Sequence, residues 1–203
     1  MHWSSVEHVQ DLIKRHIDAT AALEVLDVGA RDYHVGSGHP MPGSYRSLFE
    51  RPGWRYRGMD LEAGANVDIV QPTPYRFPLA SSSVDLVVSG QTFEHVEFFW
   101  LTFLEMVRVV RPGGLIFLLA PSRGPEHRYP VDCWRFYPDG FRALSKFARV
   151  ELVEVTTDWQ PHRDEASAAW GDTVGVFRKP ADALVRRWLR SLLLGLLARA
   201  LSR

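Results

Sequence analysis

Leu23-Glu24-Val25-Leu26-Asp27-Val28-Gly29 is the stretch that decides the fold class. A short, nearly continuous apolar run that stops at a glycine reads as a strand buried on both faces, which is the habit of parallel sheets. On its N-terminal side, Ser4 or Ser5 can cap a helix, and Val6, Val9, Ile13 and Ile17 follow at helical spacing. On its C-terminal side comes a Gly- and Pro-rich stretch from Arg31 to Pro42, then a short helix around Tyr45–Glu50. Further strands read at Arg55–Leu61, ending on Asp60, at Asn66–Val70 and at Val84–Ser89. The spacing predicts a helix from Glu97 to Arg111, stopped by Pro112-Gly113-Gly114, and a strand over Leu115–Ala120. Pro138-Asp139-Gly140 opens another helix. Val150–Thr157 and Asp172–Arg178 read as a final strand pair joined by a loop from Asp158 to Gly171. Strand–helix–strand alternation implies an α/β fold with a doubly wound sheet of seven strands. The sheet is expected to be mostly parallel, with an antiparallel edge strand supplied by the last pair.

The chain has 203 residues, enough for one domain with a sizeable core. Its 24 basic and 24 acidic side chains cancel, which gives no electrostatic case for binding nucleic acid. Cys133 stands alone, so neither an intrachain disulfide nor a cysteine zinc cluster can form. The opening residues carry no apolar signal core, and no apolar run reaches the ~20 residues of a membrane span, so a cytoplasmic location is expected. Residues 1–180 read as the domain and residues 181–203 as a C-terminal helix built on Leu192-Leu193-Leu194-Gly195-Leu196-Leu197 with arginines around it. Three readings of that helix stand side by side: packing on the domain, a homodimer interface, or peripheral contact with a membrane.

Ligands of such sheets bind beyond the carboxyl ends of the strands, at the switch point of strand order. Gly29 lies there, where a side chain would block close approach, and so does Asp60, whose carboxylate can accept both hydroxyls of a ribose. A tight turn beside a surface acid is the plainer alternative. A nicotinamide cofactor would call for G-x-G-x-x-G to seat its pyrophosphate, but the residues here are Gly29-Ala30-Arg31-Asp32-Tyr33.

Four segments, in order over residues 23 to 121, together resemble the class I S-adenosylmethionine-dependent methyltransferases, in the type 11-like branch. They are Val25-Leu26-Asp27-Val28-Gly29; Phe77-Pro78-Leu79 with Ser83–Ser89; Phe93-Glu94-His95-Val96; and Glu105-Met106-Val107-Arg108-Val109-Val110-Arg111-Pro112-Gly113-Gly114. The resemblance implies a Rossmann-like fold and S-adenosylmethionine as cofactor. It implies that Asp27, Gly29 and Ala30 lie by the methionine part, Asp60 at the ribose, Leu61 against the adenine, Thr73 at the adenine edge and Gln91 at the methionine end. The chain departs from the pattern at Arg31, which replaces the second glycine, in a longer segment between the first two strands, and at Pro72-Thr73, where Asp is common.

The loop Glu126–Pro138 follows the fifth strand and combines His127, Asp132, Arg128 and Arg135 with Tyr129, Trp134, Phe136 and Tyr137. Loops over a rigid scaffold often carry function, although such a loop can also be a packed lid. It resembles those of small methyltransferases of bacterial polysaccharide and glycolipid synthesis, including methylmannose polysaccharide assembly. O-methylation of a sugar or glycan precursor is therefore the expected activity. The alternatives are a non-sugar metabolite as acceptor, or a non-catalytic S-adenosylmethionine-binding protein. A hydroxyl acceptor benefits from a general base. His127 leads and His95 is its rival, with Tyr129, Asp132, Trp134, Arg135 and Tyr137 expected around the acceptor. His162 is a weaker third candidate, and His2, His8, His16, His34 and His39 are expected at the surface. No metal is expected: His127 and Asp132 can contribute ligands, but no carboxylate-rich set accompanies them.

Overall fold

The computed structural model describes residues 2–35 and 43–181. The C-terminal segment from 182 onward, His39 and the end of the Gly- and Pro-rich stretch lie outside these described residues. Seven strands form one sheet: β1 (Leu23–Val28), β2 (Trp54–Asp60), β3 (Ile69–Val70), β4 (Val84–Gly90), β5 (Val110–Pro121), β6 (Glu151–Thr157) and β7 (Asp172–Arg178). Their order is β3-β2-β1-β4-β5-β7-β6. Strand β1 pairs parallel with both β2 and β4, and β4 pairs parallel with β5. Strand β7 runs antiparallel to both β5 and β6, so the reversed strand sits one place in from the edge and β6 closes the sheet. The order of strands reverses between β1 and β4, which makes the crevice beyond their carboxyl ends the binding place that this topology offers.

Strand β5 shows why these segments read as uninterrupted apolar runs. Leu115, Phe117 and Leu119 pack into the core on one face, while Ile116, Leu118 and Ala120 pack into the core on the other. One layer holds helix α1 (Trp3–His16) through Val9, Leu12 and Ile13, and helix α2 (Arg46–Phe49) through Phe49. The opposite layer holds α3 (Phe99–Val109) and α4 (Pro138–Ala148). The loop before β7 contains one short helix, α5 (Glu165–Ala168), which Asp164 caps by accepting the Ser167 amide at 2.8 Å.

Two expected boundaries move for physical reasons. Helix α3 ends at Val109 and not Arg111, because Val110 already pairs with Val84 in the sheet. Pro112 also disfavours helical geometry at Arg111. The cap of α1 is His2, without a side-chain bond, and both serines lie inside the helix. The Ser4 amide donates to Ser167 Oγ, and the Ser5 hydroxyl donates to Asp172 at 2.5 Å.

Two buried acids set the frame of the site. Glu105 accepts from Arg108 Nε and from an Arg108 terminal nitrogen, both at 2.7 Å, and from the Phe77 amide at 2.8 Å. The same guanidinium reaches the Leu79 and Phe77 carbonyls, clamping the segment that feeds β4. Asp27 accepts from the Tyr56 hydroxyl at 2.5 Å, and Asn66 donates both to that hydroxyl and to the Ala30 carbonyl. Asp27, expected by the methionine part of the cofactor, is enclosed at the end of β1 and is linked to the loop after β1 through Tyr56 and Asn66. Burial pushes its carboxyl up to about 7.

Replacing Arg108 with Ala strands the buried Glu105 carboxylate. The loss of unfolding free energy should be about 3 kcal/mol, the low end for breaking a buried pair, since the Arg108 side chain is 21% exposed. Denaturant titration measures it, and a loss below about 1 kcal/mol would show that the clamp is not structural. Asp27 holds its proton in the folded state well above the ordinary 3.8. The folded chain therefore binds more protons than the unfolded chain between pH 3.8 and about 7, and this group's contribution to stability falls as pH rises through that window. Asp27→Asn removes that slope. The difference in unfolding midpoint between variant and parent should shift in the variant's favour from pH 4 to pH 8, and an unchanged difference would contradict the assignment.

Candidate functional site

At the end of β1, Gly29 takes a left-handed backbone with φ of +78°. A Cβ there would run into the Thr92 side chain, so only glycine lets the β1 loop lie this close to the β4 loop. The Gly29 and Ala30 amides both donate to the Met59 carbonyl, at 2.9 and 3.1 Å, tying the loop to β2. Asp60 ends β2 and accepts the Arg31 amide at 3.0 Å and the Leu61 amide at 2.7 Å. The Leu61 side chain is exposed beside it. Arg31, in place of the second glycine, turns outward to an ion pair with Glu62 and to the face of Tyr33. Thr73 lies in a tight turn bridged to Arg76. Gln91, just past β4, is in the left-handed region with φ of +56° and gives its side-chain amide to Asp172 at 2.8 Å and to Ser5 at 3.1 Å. Gln91 is thus committed to a buried knot formed by α1 and β7.

The loop after β5 docks on the turn after β4. A 3₁₀ turn, Phe93–His95, presents the Glu94 carbonyl to the amides of Cys133 and Trp134 at 2.7 and 3.3 Å. His95 Nδ1 donates to the Val131 carbonyl at 2.6 Å, which leaves Nε2 with a free lone pair when the ring is neutral. His127 stands against His95 with ring centroids 4.7 Å apart, and against Trp170 at 4.4 Å. Burial lowers the pKa of both imidazoles. Tyr129 contacts both rings and faces Tyr33 at 5.7 Å. These two tyrosines are 58% and 56% exposed, an aromatic pair open to solvent beside the histidines.

Other residues expected around the acceptor are occupied. Both Asp132 oxygens accept from Arg135, at 2.6 and 2.8 Å, and one also accepts the His127 amide at 2.7 Å. Arg135 holds that carboxyl well below the usual range. The pair therefore pins the loop. Trp134 hooks its indole N–H onto the Val96 and Glu97 carbonyls and packs on Phe99 and Trp100, so it anchors the loop. Tyr137 stacks on Trp159 with planes 8° apart, outside the cluster around His127. Phe136 is core.

Sequence reasoning missed several members of the site. Glu94 is fully buried, and burial pushes its carboxyl up to about 8. One nitrogen of His95, one of His127 and one Glu94 oxygen lie within 4.8 Å of one another. The weighed metal pair was His127 with Asp132, whereas the carboxylate that joins the histidines is Glu94, adjacent to His95 in sequence. His2 was expected at the surface but is buried, stacked on Trp170 with planes 4° apart and 3.6 Å from Asp172. His8 is bound to Asp158, and His162 is turned to Glu7 at the surface. The adjacency of Glu94 and His95 is visible in the chain; the other contacts join residues more than 30 positions apart.

A family model described as a methyltransferase domain matches residues 34–118. An uncharacterized methyltransferase of Mycobacterium ulcerans is 34% identical over 148 residues, covering 65% of this chain and 52% of that protein. An uncharacterized methyltransferase of Mycolicibacterium gilvum is 30% identical over 190 residues, covering 84% of this chain and 69% of that protein. The chain spans about half the length of several such relatives. Among solved structures, a phosphoethanolamine N-methyltransferase of Haemonchus contortus, in complex with S-adenosylhomocysteine, shares the fold with a TM-score of 0.60 and 15% identity. That match covers 88% of this chain and 53% of the Haemonchus chain. With the sheet order, the Gly29 crevice and a relative 30% identical across most of both chains in agreement, the protein belongs to the methyltransferase family, whose methyl donor is S-adenosylmethionine.

Proposed function

We propose that the protein transfers a methyl group from S-adenosylmethionine to a hydroxyl of a sugar or glycan precursor. The observation that carries this reading is the pairing of His127 with His95 beside the exposed Tyr33–Tyr129 pair, on the loops that follow β1, β4 and β5. Flat aromatic faces next to polar groups suit a sugar ring, and an alcohol needs its proton taken as the new bond forms. The donor supplies a sulfonium methyl open to in-line attack. Gly29 and Ala30 provide a backbone without obstruction, Asp60 the carboxylate for the ribose hydroxyls, Leu61 an apolar face for the adenine, and Thr73 the polar group at the adenine edge. Gln91 acts at the methionine end by bracing the β4 loop. Tyr129 faces the acceptor, and His127 and His95 activate its hydroxyl, with Asp132 and Arg135 fixing the loop that carries His127. Most of the rate enhancement comes from positioning.

Because Asp60 also holds the Arg31 amide, Asp60→Asn is a cleaner test than alanine. It should weaken S-adenosylhomocysteine binding by ~1.5–3 kcal/mol in a calorimetric titration, with the unfolding midpoint nearly unchanged. Undiminished affinity would remove Asp60 from the donor site.

His127→Ala should lower turnover on a hydroxyl acceptor by about 10²–10⁴-fold while leaving S-adenosylhomocysteine affinity intact, with His95→Ala as the matched rival. Near-normal turnover in both variants, or methylation of amines alone in an acceptor panel, would sink the hydroxyl reading.

A further inference from the structure

We propose that Glu94, His95 and His127 bind one divalent transition-metal ion, with zinc the best match to the donor set. Glu94 is 0% exposed, and neither of its carboxylate oxygens has a hydrogen-bond partner among the described residues. The ring nitrogen facing it, His95 Nε2, lies 3.6 Å away. A buried carboxylate is normally hydrogen-bonded, paired with a charge or bound to a metal, and here the first option is not used. His95 is arranged as metal-binding histidines usually are, with a second acceptor behind the ligating nitrogen. His95 gives Nδ1–H to the Val131 carbonyl, which turns the lone pair of Nε2 toward Glu94. His127 Nδ1 has the Asp132 carboxylate at 3.3 Å. Asp132 itself is excluded as a ligand by its bonds to Arg135 and the His127 amide. Magnesium and calcium prefer oxygen donors, whereas two imidazoles and one carboxylate suit zinc and its neighbours. Three protein donors also leave a coordination position open, as catalytic zinc sites do.

This inference rests on the reading of the same pocket as the acceptor site and deepens it: an ion held by the two imidazoles and Glu94 would acidify the acceptor hydroxyl, whose proton would pass to solvent water, and Glu94 finds its counter-charge. The test uses the full chain, stripped with a chelator and titrated with Co²⁺ as a coloured probe, then with Zn²⁺ in competition. One equivalent of Co²⁺ should bind with a visible absorption band, and Zn²⁺ should displace it. Glu94→Gln and His95→Asn should each weaken binding by roughly 100-fold or more, taking the effect of second-shell changes as a floor, and His16→Ala should leave it unchanged. S-adenosylhomocysteine affinity and the unfolding transition verify the fold of each variant, and either variant alone suffices if the other does not fold. Absence of stoichiometric Co²⁺ and Zn²⁺ binding, or binding undiminished in a folded Glu94→Gln or His95→Asn protein, would overturn the proposal. Methylation of a hydroxyl acceptor at full rate by metal-free protein would overturn it too, while leaving the proposed activity standing. The titration needs no acceptor, so a failed acceptor screen counts against the activity alone.

Discussion

The site is built around the close approach of Gly29 to Thr92. The two residues follow β1 and β4, the strands between which the order of the sheet reverses. A side chain at position 29 would force the two loops apart, and its positive φ would penalise any residue but glycine. With glycine there, the β1 loop can bend far enough for its first two amides to share the Met59 carbonyl at the end of β2. Three strand ends are thereby tied at one point, and Asp60, one residue beyond Met59, inherits its place from that tie. The Asp27–Tyr56–Asn66 chain fixes the other side of the same loop through the Ala30 carbonyl.

The second half of the site depends on a different kind of constraint. The loop after β5 has no regular structure of its own, and it is held by the Glu94 carbonyl and by the Asp132–Arg135 ion pair. Docking it over the Phe93–His95 turn seals Glu94 from water. Burying a carboxylate without a donor is unfavourable, so the loop is closed at a local cost that the Trp134 and Phe136 packing offsets. Such a cost, kept next to two imidazoles at the functional end of the sheet, is where a site rather than a core is expected.

The strands were legible because a parallel sheet buried on both faces leaves continuous apolar runs, and Gly29 and Asp60 were legible because they end two of them. The site's polar partners were not, and the reasons differ. The bond of Asp132 to Arg135 was not legible because the two stand three positions apart in a loop whose backbone path no periodicity announces. The resemblance places Asp27 by the methionine part, but its hydrogen-bond partner Tyr56 was not legible. Strand alternation puts Asp27 on the side of Tyr56, a pairing fixed by register between β1 and β2 and by nothing local. The Glu105–Arg108 spacing, by contrast, is helical, and the structure gives it a physical reason: it clamps the segment entering β4.

The N-terminal helix extends this logic to parts of the chain that carried no motif at all. Ser5 and His2 meet Asp172 at the start of β7, and Gln91 joins them from the β4 loop. Asp172 is fully buried and pairs with Pro121 at the end of β5, so the knot links α1, the β4 loop and the antiparallel strand under one carboxylate. His2 then stacks on Trp170, and Trp170 packs on His127. The position of His127 is therefore set from two directions, by the loop that carries it and by the first turn of the chain. A helix that sequence alone would describe as surface amphipathic packing thus helps to set the position of His127.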